Sequence, residues 1–296
     1  MKFAAIGLLC AASLSAAPIK VMLLDGESGG PYHAWQQTTP YLQRMLADSG
    51  LFQVDVVTAP PKGADYSTFH PDWSKYQVVV WNYDAPDDRW PDSLKSSFEQ
   101  YVRNGGGVVA VHASDNAFPA WRAFNLMVGV GGWRGRNENA GPHFYYQEGK
   151  PVSDPAPGMA GTHGARTPFK VIDRVTDHPI TAGLPKEWMH VTDELYANLH
   201  GPGENMTILA TAYSDPANKG TGHDEPILMV LSYGKGRIFH TTMGHDPVAL
   251  DCVGFITTYL RGTEWAATGK VTQKVPADFP TADQIRTRAE YAPPSK

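Results

Sequence analysis

His112 closes the segment Gly105-Gly106-Gly107-Val108-Val109-Ala110-Val111-His112. A glycine turn, a buried strand and then a polar residue present that side chain at the edge of a sheet. An imidazole placed there can act as a base or as a metal ligand. His33 follows the first apolar run of the chain, with Glu27 upstream and Trp35 after it. His245 closes another run, RIFHTTMGHD, just before an expected helix. The adjacent pair Asp193-Glu194, preceded by His190 and followed by Tyr196, supplies carboxylates. One carboxylate among imidazoles makes either a general acid–base set or a divalent-metal site. The spacing does not choose between them, since neither H-E-x-x-H nor C-x-x-C occurs. His223, Asp224 and Glu225 precede the run PILMVL and reach the same edge only if that strand is antiparallel. Trp81, Tyr83, Trp121, Trp133, Tyr145 and Tyr146 offer rings that stack on apolar sugar faces, although Trp81 and Trp121 suit a core equally well.

Thiol and hydroxyl chemistry find little support. Ser114 lacks the G-x-S-x-G frame. Cys252 lies in PVALDCVGFITTYL, where Val248, Cys252, Phe255, Ile256 and Tyr259 would share one helical face. That is the setting of a packed, inert thiol. The chain has 25 Lys+Arg against 30 Asp+Glu, a formal charge of -5. No basic surplus is available to neutralise phosphates, so no nucleic-acid partner is expected.

These residues need elements to hold them. Strands are expected at 19–24, 52–57, 76–81 and 108–111. Helices are expected at 40–48, capped by Thr39 with Pro40 in the first position, and at 93–103, capped by Asp92. Alternating strands and helices predict a parallel sheet covered on both faces. Its ligands should bind beyond the carboxyl ends of the strands, which puts the loops after Leu24, Trp81 and Val111 on one rim. Residues 129–168 are rich in Gly, Pro, Asn and His but too aromatic for a solvated linker, and are expected to form an ordered lid or pocket wall. The second half reads as β-rich, with strands at 169–172, 206–212, 226–231 and 237–241 and a helix over 247–260. Residues 272–296 read as an extended polar tail. Residues 1–17 have the short positive start, apolar core and small-residue end of a signal peptide. A periplasmic or secreted protein without membrane insertion is therefore expected, since no later segment has 18 consecutive apolar residues.

In order along the chain, GGGVVAVHASDNAF, GGWRGRNENAGP, DHPITAGLP, the DELY box, ENMTILATAYS, GHDEPILMVLSYGKGRIFHTTMGHD and EWAATG resemble the trehalose-utilization (ThuA-like) family. The resemblance spans roughly Lys20 to Val271, so that residues 18–271 read as one such domain. It implies a flavodoxin-like, class I glutamine amidotransferase-like α/β three-layer sandwich with a mostly parallel sheet. In that superfamily a cysteine stands at the turn where this chain has His112. The positions matching the family are His33, His112, Asp193, Glu194, Tyr196 and His245. Many relatives carry a His-Pro pair where this chain has Glu225-Pro226. The resemblance implies carbohydrate metabolism, with hydrolase, lyase or isomerase chemistry on a glycoside or 3-keto-glycoside. His112, His33, Glu194 and Asp193 are then expected in catalysis, and Trp133, Tyr196, Trp121 and Tyr83 against the substrate. One divalent metal ion on His33, His112, Glu194 and His245 is expected, with no nucleotide cofactor. The expected partner is a small carbohydrate, and a homo-oligomer remains open. The alternative is a non-catalytic carbohydrate-binding protein.

Overall fold

The structure, a computed structural model, describes residues 17–30 and 32–291. The expected signal peptide, apart from Ala17, lies outside them. The chain runs β1 (Ile19–Asp25), α1 (Trp35–Asp48), β2 (Phe52–Thr58), β3 (Val78–Trp81), α2 (Asp92–Arg103), β4 (Gly107–Val111) and α3 (Arg122–Val128). It continues through β5 (His143–Gln147), β6 (Lys150–Asp154), β7 (Thr162–His163), β8 (Thr167–Asp173), β9 (Glu187–Asp193), β10 (Tyr196–Ala197) and β11 (Met206–Tyr213). It ends with β12 (Asp224–Tyr233), β13 (Gly236–Thr241), α4 (Pro247–Leu250) and α5 (Val253–Thr268).

One sheet carries the order β2-β1-β3-β4-β13-β12-β11-β8-β9. The five strands from β2 to β13 are mutually parallel, and the rest continue antiparallel. Alternate residues feed two cores, as the period of a strand dictates. Val21, Leu23, Val78, Val80, Val109 and Val111 meet Leu42 and Met45 of α1 and Phe255 and Tyr259 of α5. Met22, Leu24, Val79, Trp81, Val108 and Ala110 meet Leu94 and Phe98 of α2 and Phe124 and Met127 of α3. Three layers result, helix on sheet on helix.

Several boundaries differ from the sequence expectation. Helix α1 begins at Trp35, and Pro40 sits inside it without Thr39 as its cap. Pro40 removes one backbone donor, but Gln36 four residues earlier is exposed, where water can serve its carbonyl. Helix α2 begins at Asp92 itself, with Pro91 preceding it and no side-chain cap. The expected helix over 247–260 is two helices. Asp246 caps α4 by accepting from Ala249 N at 3.1 Å, and Cys252 is the residue before α5 rather than part of a continuous face. Its thiol is nevertheless fully buried. Residues 272–288 are irregular and end in a 3-10 turn at Ala289–Tyr291, and this segment is docked. Met189 N donates to Thr281 O, Val253 N donates to Arg286 O, and Phe279 and Tyr291 are buried.

Helix α5 lies tightly on the sheet through glycines spaced eight residues apart. A Cβ on Gly254 would stand 2.3 Å from the Trp188 ring, and one on Gly262 would stand 2.1 Å from the Phe239 ring. Phe239 belongs to the strand that delivers His245. Gly262→Val should cost about 3 kcal/mol and lower Tm by roughly 6–12 °C. Gly158→Val, where a Cβ meets nothing within 4 Å, should leave Tm unchanged. Thermal denaturation of the two variants checks this.

Candidate functional site

Four parallel strands end on one rim, and their loops carry the polar side chains. The turn after β1 brings His33, that after β3 brings Asp84, that after β4 begins at His112, and that after β13 brings His245. Ser28 and Asp84 form an isolated parallel bridge across the point where the strand order reverses, which is where open α/β sheets bind ligands. Glu194 arrives from the end of β9. One ligand atom from each of His33, His112, Glu194 and His245 lies within 4.8 Å of all the others. Glu194 Oε2 is 3.2 Å from His245 Nδ1, 3.7 Å from His112 Nε2 and 3.9 Å from His33 Nε2. His245 Nδ1 and His112 Nε2 are 3.3 Å apart.

Each group is held from behind. His112 Nδ1 is 2.6 Å from the Thr242 carbonyl oxygen. A carbonyl only accepts, so Nδ1 carries hydrogen and Nε2 faces the cluster. The Tyr196 ring lies 4.1 Å from the His112 ring, and its hydroxyl is 3.0 Å from His33 Nε2. Asp193 turns into the core. Its carboxylate accepts from Gly244 N at 2.8 Å, Glu194 N at 2.8 Å and His245 N at 3.2 Å, and pairs with His190 Nε2 at 2.9 Å. Of the two adjacent carboxylates, one therefore anchors the site from within and the other faces it.

The charge balance follows from this geometry. Burial works to raise the Glu194 carboxyl, but His112 and His245 outweigh it and hold it well below its usual range. Burial lowers His112, yet Glu194, Asp193 and the Thr242 carbonyl leave it raised overall. Burial, then the neighbouring charge of His112 and His245, pushes His33 down to about 3. One carboxylate thus supports a charge on His112 and leaves His33 neutral. Deeper in, burial lowers His190, but Cys252 and Asp193 bring it up to about 9.

The cluster opens into a cavity of about 490 Å³ lined by Gly29, Tyr32, His33, Asp84, Asn116, Trp133, Arg134, His163, Glu194 and Tyr196. Segment 129–168 supplies Trp133, Arg134 and His163 to this wall. His163 pairs with Tyr196 in the two-stranded β7–β10 ladder, and its Nε2 lies 3.9 Å from Glu194 Oε1. His112, Trp133 and Arg134 have φ of 46°, 51° and 48°. Left-handed backbone at non-glycine residues costs on the order of 1–3 kcal/mol each and clusters at functional sites.

Of the aromatic residues singled out from the sequence, Trp133 and Tyr196 line the cavity. Tyr83 is buried, with its hydroxyl 3.1 Å from that of Tyr66. Trp121 stacks on Phe124, and Trp81 is buried among Phe98, Trp90 and Phe124. Tyr145 stacks on His223, and Tyr146 sits against Arg174. Strand β12 does run antiparallel, but Glu225 is fully buried and pairs with His143 at 2.9 Å, apart from the cluster. Asp84, Arg134, Asn116 and His163 were not singled out. The signals available for them were the rim position after β3 for Asp84, the turn after β4 for Asn116, and the expected pocket wall for Arg134 and His163.

A three-layer α/β sheet with three imidazoles and a carboxylate gathered at its carboxyl rim defines the class of protein. Residues 20–266 match the ThuA family, described as trehalose utilisation, and the chain belongs to that family. It is similar to a ThuA-like protein of Parabacteroides merdae, at 46% identity and a TM-score of 0.89 over 94% of this chain and 100% of that one. A ThuA-like protein of Bacteroides uniformis shares the fold at 20% identity and a TM-score of 0.56, covering 88% of this chain and 96% of that one. A cytoplasmic protein of Salmonella typhimurium LT2 shares it at 15% identity and a TM-score of 0.50, covering 84% and 99%. No curated protein matches the sequence.

Two outcomes are expected. A histidine whose folded pKa is depressed contributes stability above its unfolded value, near 6.5, and loses it as pH falls toward the folded value. The metal-free protein should therefore lose roughly 2 kcal/mol through His33 between pH 6.5 and 5. Urea denaturation of wild type and His33→Gln at the two pH values isolates that difference. Asp193→Asn should cost about 3 kcal/mol, because it strands His190 in the core. Its measure is the urea midpoint at pH 7.

Proposed function

We propose that this chain is an enzyme of carbohydrate metabolism that binds a small glycoside or 3-keto-glycoside in the 490 Å³ cavity and acts on it at the imidazole–carboxylate cluster. The carrying observation is the convergence of His33, His112, Glu194 and His245 within 4.8 Å, with His33 and Glu194 lining a cavity that Trp133 and Tyr196 also wall. Membership of a trehalose-utilisation family supports the substrate class.

The donor set fits a divalent metal ion. Four atoms about 2.1 Å from one tetrahedral centre stand roughly 3.4 Å apart. Four of the six distances within the set run from 3.2 to 3.9 Å, and all lie within 4.8 Å. The carbonyl behind His112 is the kind of second partner that metal-bound imidazoles keep. Such an ion would supply Lewis-acid polarisation of a substrate oxygen. The protein's own groups do the rest. Burial keeps the Tyr196 hydroxyl protonated, so it is a donor between cluster and cavity. Glu194 presents Oε2 to the three imidazoles and Oε1 toward His163. His163 Nδ1 lies 2.8 Å from the Gly164 carbonyl oxygen, to which it donates. Its Nε2 is thereby left facing Glu194 Oε1 at the cavity wall. The apolar N-terminal run supports export, which completes the reading.

Purified protein incubated with zinc or manganese and then desalted should retain one ion per chain by elemental analysis. At a thousandfold excess over Kd the gain in stability should be about 4 kcal/mol. His112→Ala and Glu194→Gln should lose that ion. A wild-type chain that retains no ion, turns over no glycoside or 3-keto-glycoside, and binds sugar as well after His112→Ala would be a binding protein instead.

A further inference from the structure

One wall of the cavity holds polar groups that neither the metal set nor the fold consumes. Asp84 is 3% exposed, and its Oδ1 accepts from Arg134 Nε at 2.9 Å. Its Oδ2 lies against Gly29, where any Cβ would stand 2.1 Å away. Gly29 itself has φ of 72°, so glycine is required there on two counts. Arg134 spends Nε on Asp84 and leaves the rest of its fork toward the cavity it lines. Asn116 is 5% exposed, lines the same cavity, and its Oδ1 has no hydrogen-bond partner. A buried polar atom of this kind is costly unless a ligand satisfies it.

The backbone is bent to make this wall. Trp133 and Arg134 are consecutive residues with left-handed φ. Trp133 N donates to Ala160 O and Arg136 N donates to Trp133 O, which fixes both ends of the bend. Arg136 is buried, and its guanidinium donates to the carbonyls of Asn116, Ala117 and Gly132. It thereby locks the turn of Asn116 to the bend of Trp133 and Arg134. Its hydrogen bonds all serve the fold, whereas Arg134 keeps donors to offer.

We propose that Asp84 and Arg134, with Asn116 beside them, form a subsite for a vicinal diol on a pyranose ring whose apolar face lies on Trp133. A carboxylate only accepts and a guanidinium only donates. Side by side they match two neighbouring hydroxyls, each of which gives one hydrogen and takes another. Gauche hydroxyls on a six-membered ring stand about one hydrogen-bond length apart, as the two protein groups do. The subsite selects pyranosides with two adjacent free hydroxyls and rejects those deoxygenated or methylated at either position. It rests on the reading above that the cavity takes a carbohydrate.

The test is calorimetric binding of trehalose, methyl α-D-glucopyranoside and its 2-, 3- and 4-deoxy analogues to the full chain. Wild type should bind the parent glycosides, and at least one deoxy analogue should bind at least tenfold more weakly. Asp84→Asn and Arg134→Lys should each weaken the parents about tenfold and shrink the penalty of that deoxy analogue. Both variants should keep the fold, by circular dichroism, and the ion content of wild type, since Asn still accepts from Arg134 and Lys keeps the charge. Parent binding unchanged in both variants, or equal binding of all deoxy analogues to wild type, overturns the subsite while leaving the carbohydrate reading intact. A wild type that binds no member of the panel overturns both.

Discussion

The buried carboxylate of Asp193 ties together two parts of the chain that the sheet alone would leave apart. Strand β9 lies at the far end of the strand order from β1, yet its last residue accepts from Gly244 N and His245 N at the end of β13. It also accepts from Glu194 N, so the residue that turns toward the site hangs from the same anchor. Burial raises Asp193, but His190 and the Gly244 amide outweigh it, and the carboxyl is held below its usual range. His190, raised to about 9, supplies the compensating charge. A buried carboxylate with several donors and a paired imidazolium is expensive to disrupt, so Glu194 and His245 are delivered from a rigid base.

Among the described residues, the rim cluster gathers imidazoles and a carboxylate and no thiol. The cysteine within the described residues is buried before α5 beside His190, and burial together with that imidazole decides its state. At the rim, three imidazoles share one carboxylate. Two facing nitrogens 3.3 Å apart must hold a proton or a cation between them, because two lone pairs repel. In the metal-free protein that role falls to the proton on His112, and its field helps keep His33 neutral. The same crowding makes a second proton costly, and the four groups are close enough to hold one metal ion.

The core half of this arrangement was legible in the sequence because strands and glycine turns announce it. The apolar runs ending before His33, His112 and His245 put those residues on one rim, and the DELY box marked the carboxylate. Aromatic residues were less legible. Trp81 and Tyr83 follow the same strand as Asp84, but a ring says nothing about which face it enters, and both are buried. Residue type also concealed the roles of Asp193 and Glu194, since adjacent positions point in opposite directions and only the fold shows which faces inward. Helix ends were misjudged where tertiary contacts overrode local signals. Pro40 is accommodated inside α1, and Asp251-Cys252 breaks what periodicity joins.

The site is built from two kinds of structure, and their separation has a consequence for specificity. His33, His112 and His245 follow strands of the parallel core, and each is backed by a group in that core or at its rim. Trp133, Arg134 and His163 come from segment 129–168, which reaches the core through Arg136 and the β7–β10 ladder. Strain at His112 is balanced by the Thr242 carbonyl, while strain at Trp133 and Arg134 is balanced by Ala160 and Arg136. The two sets of supports meet at Arg136, which donates to the carbonyls of Asn116 and Ala117 at the end of the turn that His112 begins. A change at the buried Arg136 would therefore reach the turn of His112, whereas a change at Arg134 on the cavity wall leaves that link in place, because closely packed cores transmit displacement and irregular surface segments absorb it.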